Sequence, residues 1–324
     1  MENFNNYLKI INEAIARIAL TRQPENLYQP IAYSLEMGGK RLRPILTLAA
    51  CDLFGGNINQ AIDAAVGIEI FHNFTLVHDD IMDDAPLRRG SKTVYKKWNS
   101  NIAILSGDTM FAIALQQLTH TNHPKLKEII SVFVQTAIEV CEGQQFDMDF
   151  ESRSDVSIAE YLEMIRLKTA VLLGASLKIG ALLANAGEDQ TRLMYDFGIN
   201  AGIAFQLKDD WLDAFGDQAK FGKSIGGDIL ANKKTYLYLK CLQMASSADR
   251  EILQNLFQIS QSDENAKVRS VLELFNKYQI KEAATLEMEK FFQKSIQSIN
   301  QVVAPADKKE VLAGFAEMLY KRDK

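Results

Sequence analysis

Two segments of the sequence carry closely spaced aspartates in the same arrangement, two adjacent residues followed by a third at the next helical turn. The six residues are Asp79, Asp80, Asp83, Asp209, Asp210 and Asp213. Like charges at this spacing destabilise a helix by about 0.2–0.5 kcal/mol per pair unless a cation offsets the repulsion. Oxygen ligands from a few carboxylates suit Mg²⁺, which keeps several waters and shares phosphate oxygens. The repeated pattern indicates magnesium ions that hold a diphosphate, although either segment alone is also compatible with an exposed helix end.

The residues around both clusters have the periodicity of buried helices. A helix over residues 57–84 is apolar except for one polar stripe, because successive residues are rotated by about 100°. The side chains that share a stripe with the aspartates are His72 in the first helix and Gln206 and Asp217 in the second. If the two helices face each other across a bundle, both clusters can contribute to one magnesium and diphosphate site.

Basic residues suited to phosphate occur in several other segments. The segment GGKRLRP, residues 38–44, is predicted to begin a helix, where free backbone N–H groups favour anions. Arginine donates paired hydrogen bonds to phosphate, whereas lysine acts as a mobile point charge. The further candidates are Arg88, Arg89, Lys168, Lys223, Lys233 and Lys234. Taken singly, a glycine-lysine loop is also typical of an ordinary turn, and Lys168 of a helix lysine that reaches solvent.

Composition and charge exclude several classes of protein. The chain has 324 residues and a net charge of −5, which argues against binding nucleic acid through bulk charge. Its three cysteines are far apart and form no CxxC pair, so neither a disulfide framework nor a zinc site is expected. The most apolar stretch is interrupted by Lys178 and is too short for a membrane span. We predict a cytoplasmic protein without stable membrane insertion.

The hydrophobic pattern predicts an all-α fold. Apolar residues recur at spacings of three and four along nearly the whole chain, and strand-like alternation is scarce. No proline interrupts the region between Pro124 and Pro305. Residues 85–97 are predicted to form a basic loop. Because connections are short and the composition does not shift, a single domain over residues 1–324 is expected.

The order of the motifs is similar to that of a known family. The motifs are GGKRLRP, FHNFTLVHDDIMDDAPLRRG, GQQFD, LKT, FQLKDDWLD and GKSIGGDILANKKT, and they span residues 38–235. On these motifs the chain resembles the trans-isoprenyl diphosphate synthases, also called polyprenyl synthetases. It departs from the family pattern at Tyr236-Leu237, where proline often occurs, and no motif follows Tyr238.

The resemblance implies an architecture and an activity. The implied architecture is a single large helical bundle around a central cavity, assembled as a homodimer. The implied enzyme is a magnesium-dependent prenyltransferase that adds isopentenyl diphosphate head-to-tail to an allylic diphosphate, in the trans configuration. Magnesium and cationic side chains would stabilise the leaving diphosphate, and a dry cavity would protect the allylic cation from water.

The resemblance also implies roles for individual residues, transferred motif by motif. The residues similar to the two magnesium motifs are Asp79, Asp80 and Asp83, and Asp209, Asp210 and Asp213. Those similar to the isopentenyl diphosphate site are Gly39, Lys40, Arg43, His72 and Arg89. Those similar to the allylic diphosphate site are Arg88, Lys168, Lys223 and Lys233. Thr169 and Gln206 resemble catalytic residues near the developing cation, and Gln144 and Asp147 resemble secondary polar groups of the cavity.

Product length is predicted from the residue five positions before the first aspartate, which limits the growing chain in this family. Here that residue is Phe74. A bulky ring at this place, with only two residues between the aspartate pair and Asp83, resembles geranylgeranyl diphosphate synthases of the archaeal pattern. Farnesyl diphosphate is the alternative product. Since the helical rotation places Phe74 about 140° from Asp79, a plain core phenylalanine is the alternative role.

Two alternative functions use a similar fold. A class I terpene cyclase also has an aspartate-rich helix, but it does not require GGKRLRP and RRG for a second diphosphate. A non-catalytic subunit typically lacks aspartates that are all present here.

Overall fold

The computed structural model describes residues 2–216, 226–258 and 264–322 of the chain. Lys223 and Asp217, both singled out from the sequence, lie outside the described residues. Most of the described residues are helical, which confirms the predicted all-α class. The helices that precede Arg166 are α1 (Glu2–Ala16), α2 (Glu25–Glu36), α3 (Leu42–Leu53), α4 (Ile58–Met82), α5 (Val94–Lys97), α6 (Ser100–Thr119), α7 (Leu126–Ser152) and α8 (Ile158–Ile165).

The later helices begin with a short π-helix, Arg166–Ala170, that follows α8 directly. Such turns, in which hydrogen bonds join residues five apart, occur often at functional sites. The α-helices after it are α9 (Val171–Leu183), α10 (Glu188–Phe215), α11 (Gly227–Leu230), α12 (Tyr236–Met244), α13 (Ser247–Leu256), α14 (Glu264–Lys277), α15 (Ile280–Gln301) and α16 (Ala306–Lys321).

The segment predicted as a basic loop, residues 85–97, contains regular structure instead. Strands β1 (Leu87–Arg88) and β2 (Ser91–Lys92) pair antiparallel, and α5 follows. The connecting residues Arg89 and Gly90 have φ angles of 53° and 78°. Two positive φ angles in a two-residue loop are what a tight hairpin needs, and glycine adopts one of them without strain. The apolar periodicity did not reveal this hairpin because each strand has only two residues.

The contacts divide the chain into two compact units. The first comprises Met1–Gln135, Ala175–Met194 and Val303–Lys309. The second comprises Thr136–Gly174, Tyr195–Val302 and Glu310–Lys324. The single domain expected from the sequence stays a prediction.

In the first unit, α4 is the central helix and packs against α3 and α6. Its middle residues are buried on all sides, which explains why its apolar residues form no single stripe. Two glycines allow the close approach of α4 and α6. A Cβ atom at Gly67 would lie 2.2 Å from the Leu118 side chain, and one at Gly107 would lie 2.2 Å from the His78 ring.

In the second unit, glycines again set the helix spacing. A Cβ atom at Gly143 in α7 would lie 2.3 Å from the backbone nitrogen of Lys168 in the π-helix. A Cβ atom at Gly202 in α10 would lie 2.7 Å from Ala170. The π-helix is therefore packed against two neighbours without intervening side chains, which fixes the positions of Lys168 and Thr169.

Helix α6 has the length and composition of a membrane span, and among the described residues it alone meets both criteria. The core helices of water-soluble proteins pass the same test. However, only 33% of its apolar window is buried in the chain. Helix α6 therefore exposes apolar side chains that no other described part of the chain covers.

Candidate functional site

The first aspartate cluster lies at the carboxyl end of α4. The helix begins after Asn57, whose side chain caps it, and ends at Met82. Asp83 was predicted as helical but is the C-terminal capping residue, and its N–H donates to the carbonyl oxygen of Asp79 at 2.8 Å. Asp80 is buried, Asp79 is half-buried and Asp83 is exposed. The cluster therefore presents carboxylates at a helix end rather than along a helix face.

Arg88 follows this cluster in the sequence and pairs with its buried aspartate. Its Nε and Nη2 atoms both lie 2.7 Å from the Oδ1 atom of Asp80. Burial raises the pKa of Asp80, and the neighbouring Arg88 opposes that increase. The β1–β2 hairpin makes the contact possible because it turns Arg88 back towards the end of α4. The sequence indicated both residues but not their pairing.

The second arginine of the pair, Arg89, contacts the glycines of GGKRLRP. Its guanidinium donates to the carbonyl oxygen of Gly38. A Cβ atom at Gly39, whose φ is 132°, would lie 2.7 Å from the guanidinium. Glycine is thus required here both for the backbone conformation and for the space that Arg89 occupies. Helix α3 begins at Leu42, which confirms the predicted helix start, and Lys40 is exposed beside it.

Arg43 and His72 lie in the same unit as Lys40 and Arg89. We call these four residues the basic group of the first unit. The Nη1 atom of Arg43 lies 3.1 Å from the Nε2 atom of His72. Burial lowers the pKa of His72 well below its usual value, and the nearby arginines lower it further. The ring is therefore neutral and accepts the hydrogen bond that Arg43 donates. The structure thus places Gly39, Arg89, Arg43 and His72 in one unit with the first aspartate cluster.

The second aspartate cluster lies near the carboxyl end of α10, and each of its aspartates has a different partner. Asp209 forms an ion pair with Arg322, whose guanidinium carbon also lies 4.1 Å from the centre of the Phe205 ring. Asp213 accepts a hydrogen bond from the backbone N–H of Asp228 at 3.0 Å. The residue after the last helix thus contacts the second cluster, in a region where the sequence carried no motif.

Asp210 is the buried member of the second cluster. It accepts hydrogen bonds from the hydroxyl of Tyr161 and, at 3.3 Å, from the side-chain amide of Gln206. Burial, together with the charge of Asp228, raises the pKa of Asp210 to about 8. Without a bound cation, the carboxyl group of Asp210 therefore holds a proton at neutral pH.

This shift predicts a pH dependence of stability in the metal-free chain. Between about pH 4 and pH 8 the folded state holds a proton on Asp210 that the unfolded state has released. The free energy of unfolding therefore falls as pH rises through this range. The Asp210→Asn variant has no carboxyl group that titrates at this position. We therefore expect the melting temperature of the variant minus that of wild type to increase by several degrees between pH 5 and pH 9, with a chelator present. A constant difference would contradict the assigned shift.

The π-helix supplies the polar residues beside Asp210. Lys168 Nζ lies 2.6 Å from the Oδ2 atom of Asp147, and the hydroxyl of Thr169 donates to the Oε1 atom of Gln206 at 3.2 Å. These residues line a cavity of about 100 Å³ in the second unit. The cavity lining includes Asp147, Tyr161, Lys168, Thr169, Gln206, Asp210, Asp228 and Lys233. The structure thus brings together four of the predicted site residues, Lys168, Thr169, Gln206 and Lys233, with Asp210.

The carboxylates fit magnesium held together with a substrate. In the described part of the chain, no three Asp, Glu, His or Cys side chains are grouped as an all-protein metal centre requires. Mg²⁺ is typically bound by one or two carboxylates, waters and substrate phosphate oxygens. The oxygen donors of the two clusters and the basic groups beside them match that mode of binding.

Three site residues did not emerge from the sequence. Tyr161 and Arg322 contact the second cluster, but they lie 48 residues before and 113 residues after Asp209, and neither spacing carries a local signal. Asp228, which also contacts this cluster, belongs to the motif GKSIGGDILANKKT. Glu69 is the third, and it had a signal. It is the one acidic residue between Asp63 and Asp79 of α4.

Comparison with known proteins identifies the family. The family model described as polyprenyl synthetase matches residues 24–275. The chain is 40% identical over 315 residues to a geranylgeranyl diphosphate synthase of Sulfolobus acidocaldarius, which covers 95% of this chain and 94% of the relative. It is 38% identical over 249 residues to a geranylfarnesyl diphosphate synthase of Natronomonas pharaonis, covering 71% of this chain and 73% of the relative.

Solved structures agree with this match. A crystal structure of a geranylgeranyl pyrophosphate synthase superimposes with a TM-score of 0.92 at 42% identity, covering 100% of this chain and 98% of that chain. The matched family model includes both aspartate clusters, the arginine pair and the lysines of the π-helix and α11–α12 segments. On its sequence and its fold, this chain belongs to the polyprenyl synthetase family.

Proposed function

We propose that the chain is a magnesium-dependent prenyltransferase that condenses isopentenyl diphosphate with an allylic diphosphate, with geranylgeranyl diphosphate as its main product. Membership of the polyprenyl synthetase family supports prenyl transfer. The observation that carries the proposal is the cavity of the second unit, where Lys168, Thr169, Gln206 and Asp210 line one space. The ammonium group of Lys168, the uncharged side-chain oxygens of Thr169 and Gln206 and the carboxyl group of Asp210 suit the departure of a diphosphate from an allylic carbon.

The basic group of the first unit is suited to isopentenyl diphosphate. Arg43 and Arg89 can donate paired hydrogen bonds to phosphate oxygens, and the exposed Lys40 adds a mobile charge. Gly39 makes room for the guanidinium of Arg89, and the neutral His72 holds Arg43 in place. We assign Gly39, Lys40, Arg43, His72 and Arg89 to this substrate.

The allylic diphosphate is assigned to the cations that accompany the aspartates. Arg88 contacts Asp80, Lys168 contacts Asp147, and Lys233 lines the same cavity as Lys168. Lys223 is included in this assignment, although it lies outside the described residues. When bound, Mg²⁺ would neutralise charge on the departing diphosphate. The carboxylates that would hold it are Asp79, Asp80 and Asp83, and Asp209, Asp210 and Asp213.

The reaction then follows from these groups. The carbon–oxygen bond of the allylic diphosphate breaks, and the electron pair leaves with the diphosphate, which Arg88 and the three lysines bind. The alkene of isopentenyl diphosphate attacks the allylic carbon, and a proton is lost to the released diphosphate. Oxygen dipoles of Thr169 and Gln206 stabilise the positive charge that develops. Their mutual hydrogen bond of 3.2 Å keeps both oxygens in place.

Phe74 is proposed to set the product length. Its ring lies 5.5 Å from Phe71, 5.7 Å from Phe111 and 4.8 Å from His78, between ring centres. The ring is half-buried within this aromatic cluster. The relatives named geranylgeranyl and geranylfarnesyl synthases differ by one isoprene unit in their named products, so a small change in depth separates them. Farnesyl diphosphate stays the shorter alternative.

A product assay tests the proposed function. The purified chain is incubated with isopentenyl diphosphate and farnesyl diphosphate, with magnesium or with a chelator, and the dephosphorylated alcohols are sized. We expect geranylgeraniol to form in the reaction with magnesium and not in the reaction with the chelator. Farnesol from shorter primers, without extension of farnesyl diphosphate, would identify a farnesyl diphosphate synthase. A cyclic hydrocarbon would identify a terpene cyclase, and no turnover of any primer would contradict an enzymatic role.

A homodimer is proposed because α6 leaves apolar side chains uncovered in the single chain. Leu105 is 60% exposed and Ile104 is 42% exposed. Leu105 and Ala112 lie on the same side of the helix because they are two turns apart, and both are exposed. A second copy of the chain would cover this face. A cytoplasmic location stays a prediction from the sequence.

The Leu105→Glu variant tests this assembly. We expect wild type to have twice the mass of the 36.4 kDa chain by light scattering. The variant should shift to the monomer mass because a buried carboxylate at an interface has no partner. Leu286→Glu, at a residue that is 72% exposed in α15, is the matched control and should remain dimeric. A monomeric wild type that binds lipid vesicles through α6 would overturn the proposal.

A further inference from the structure

A buried carboxylate lies beneath the basic group of the first unit, and none of the roles assigned above uses it. Glu69 in α4 is 2% exposed, and its Oε1 atom lies 2.6 Å from the Nη1 atom of Arg41. The same oxygen accepts a hydrogen bond from the side-chain amide of Asn73 at 3.0 Å. Charged residues are almost never fully buried unless they are paired. The two charges are therefore paired, but because desolvation offsets their attraction, such a pair is weak evidence for stability.

We propose that Glu69 and Arg41 are positioning residues. They hold the GGKR loop, residues 38–41, in the conformation that binds the diphosphate of isopentenyl diphosphate. The proposal deepens the proposed function and rests on its assignment of that substrate to Lys40, Arg43 and Arg89. Neither Glu69 nor Arg41 is assigned a contact with the substrate. They act through the residues on either side of Arg41.

The backbone of the loop gives the first argument. Arg41 precedes α3 with φ 48° and ψ 36°, in the left-handed region. This conformation is unfavourable for a residue other than glycine, because the Cβ atom comes too close to the following carbonyl oxygen. It persists where surrounding contacts fix it. Here the contacts are those of the guanidinium, which binds Glu69 and donates to the carbonyl oxygen of Leu35 at 2.5 Å.

The direction of the side chains gives the second argument. Arg41 is buried, whereas its neighbour Lys40 is exposed and Arg43 is half-buried against His72. Anchoring Arg41 to α4 therefore turns Lys40 outwards and sets the start of α3, from which Arg43 extends. A loop released from Glu69 would let both cationic groups move away from the positions that the diphosphate requires.

The surrounding charges give the third argument. The pKa of Arg43 is lowered to about 10, because burial and the charge of Arg89 together lower it more than Glu69 raises it. Burial likewise lowers the pKa of Arg89, again opposed by Glu69. One buried carboxylate thus offsets the mutual repulsion of three arginines. Asn73, which is 1% exposed, also donates to the backbone oxygen of Glu69 at 2.8 Å and keeps this arrangement on one turn of α4.

The Glu69→Gln variant separates positioning from simple electrostatics because the two predict opposite signs. Removing a negative charge near a diphosphate site would by itself tighten binding of the anion. Loss of position would weaken it. We expect the KM for isopentenyl diphosphate to rise about tenfold or more, while the KM for farnesyl diphosphate changes less than about threefold. A lower KM for isopentenyl diphosphate, or equal changes for both substrates, would overturn the proposal.

A second variant keeps the test valid if Glu69→Gln folds poorly. The double variant Arg41→Met with Glu69→Met replaces the pair by unbranched apolar side chains, a change that buried ion pairs often tolerate. We expect its melting temperature to be close to that of wild type and its KM for isopentenyl diphosphate to be raised. A wild-type KM in this folded variant would show that the pair positions nothing. Asp189→Asn, which breaks an exposed pair with Arg192, is the matched control.

Direct binding distinguishes failure of this inference from failure of the proposed function. The affinity of wild type and Glu69→Gln for isopentenyl diphosphate is measured by calorimetry, independently of turnover. Weaker binding of isopentenyl diphosphate to the variant than to wild type supports the positioning role, whether or not wild type extends a primer. If wild type extends no primer, that result contradicts the proposed function alone. Unchanged affinity in a folded variant, beside normal wild-type turnover, would refute the inference alone.

Discussion

Asp79→Asn is expected to reduce kcat by about 10²–10³-fold, the loss typical of removing one group that stabilises transition-state charge. Asparagine has the same shape as aspartate but no charge, so it weakens the proposed hold on magnesium and on the departing diphosphate. Asp79 is half-buried at the end of α4, so the variant should keep the wild-type melting temperature. Steady-state rates over a range of magnesium concentrations would show whether excess metal restores part of the activity.

Asp84→Asn is the matched control for this loss. Asp84 belongs to the same acidic run but is exposed, and its carboxylate binds Tyr95 at 2.8 Å and Lys96 at 3.1 Å. Its φ of 47° is one that asparagine adopts readily. The control should retain wild-type activity. Equal losses of activity in the two variants would mean that the reaction depends on the total negative charge of this segment and not on the position of Asp79.

Phe74→Ala is expected to change the product rather than the rate. Removing the ring opens space within the cluster of Phe71, Phe111 and Phe133, whose rings lie within contact of one another. If Phe74 closes the end of the product cavity, the chain should grow by one or more isoprene units beyond geranylgeranyl diphosphate. The measurement is the size distribution of the dephosphorylated alcohols, with farnesyl diphosphate as primer.

Phe54→Ala is the control for lost packing, because Phe54 is also half-buried in the first unit but lies outside the aromatic cluster. It should leave the product unchanged. Unchanged products from a folded Phe74→Ala variant would assign this ring to the core alone. Phe71 is a poorer test since it is 1% exposed, and truncating a buried phenylalanine typically costs about 3–5 kcal/mol of stability.

The sequence by itself determined the helical class, the family and the residues that carry charge to the proposed site. Helical periodicity and the spacing of Asp79, Asp80 and Asp83 are local, because neighbouring residues in a chain specify them. The start of α3 at GGKRLRP was likewise readable from nearby residues. The end of α4 was harder to predict from nearby residues, since Asp83 caps the helix instead of continuing it.

The tertiary structure decided which of those charges meet. The hairpin turn at Arg89 and Gly90 brings Arg88 to Asp80, and two strands of two residues leave no periodic signal. Tyr161 reaches Asp210, and Arg322 reaches Asp209, from parts of the chain that are far away in the sequence. Such contacts depend on how distant helices pack, which no local pattern specifies. The same is true of Glu69, whose acidic side chain is visible in the sequence but whose burial against Arg41 arises only when α4 packs against the loop before α3.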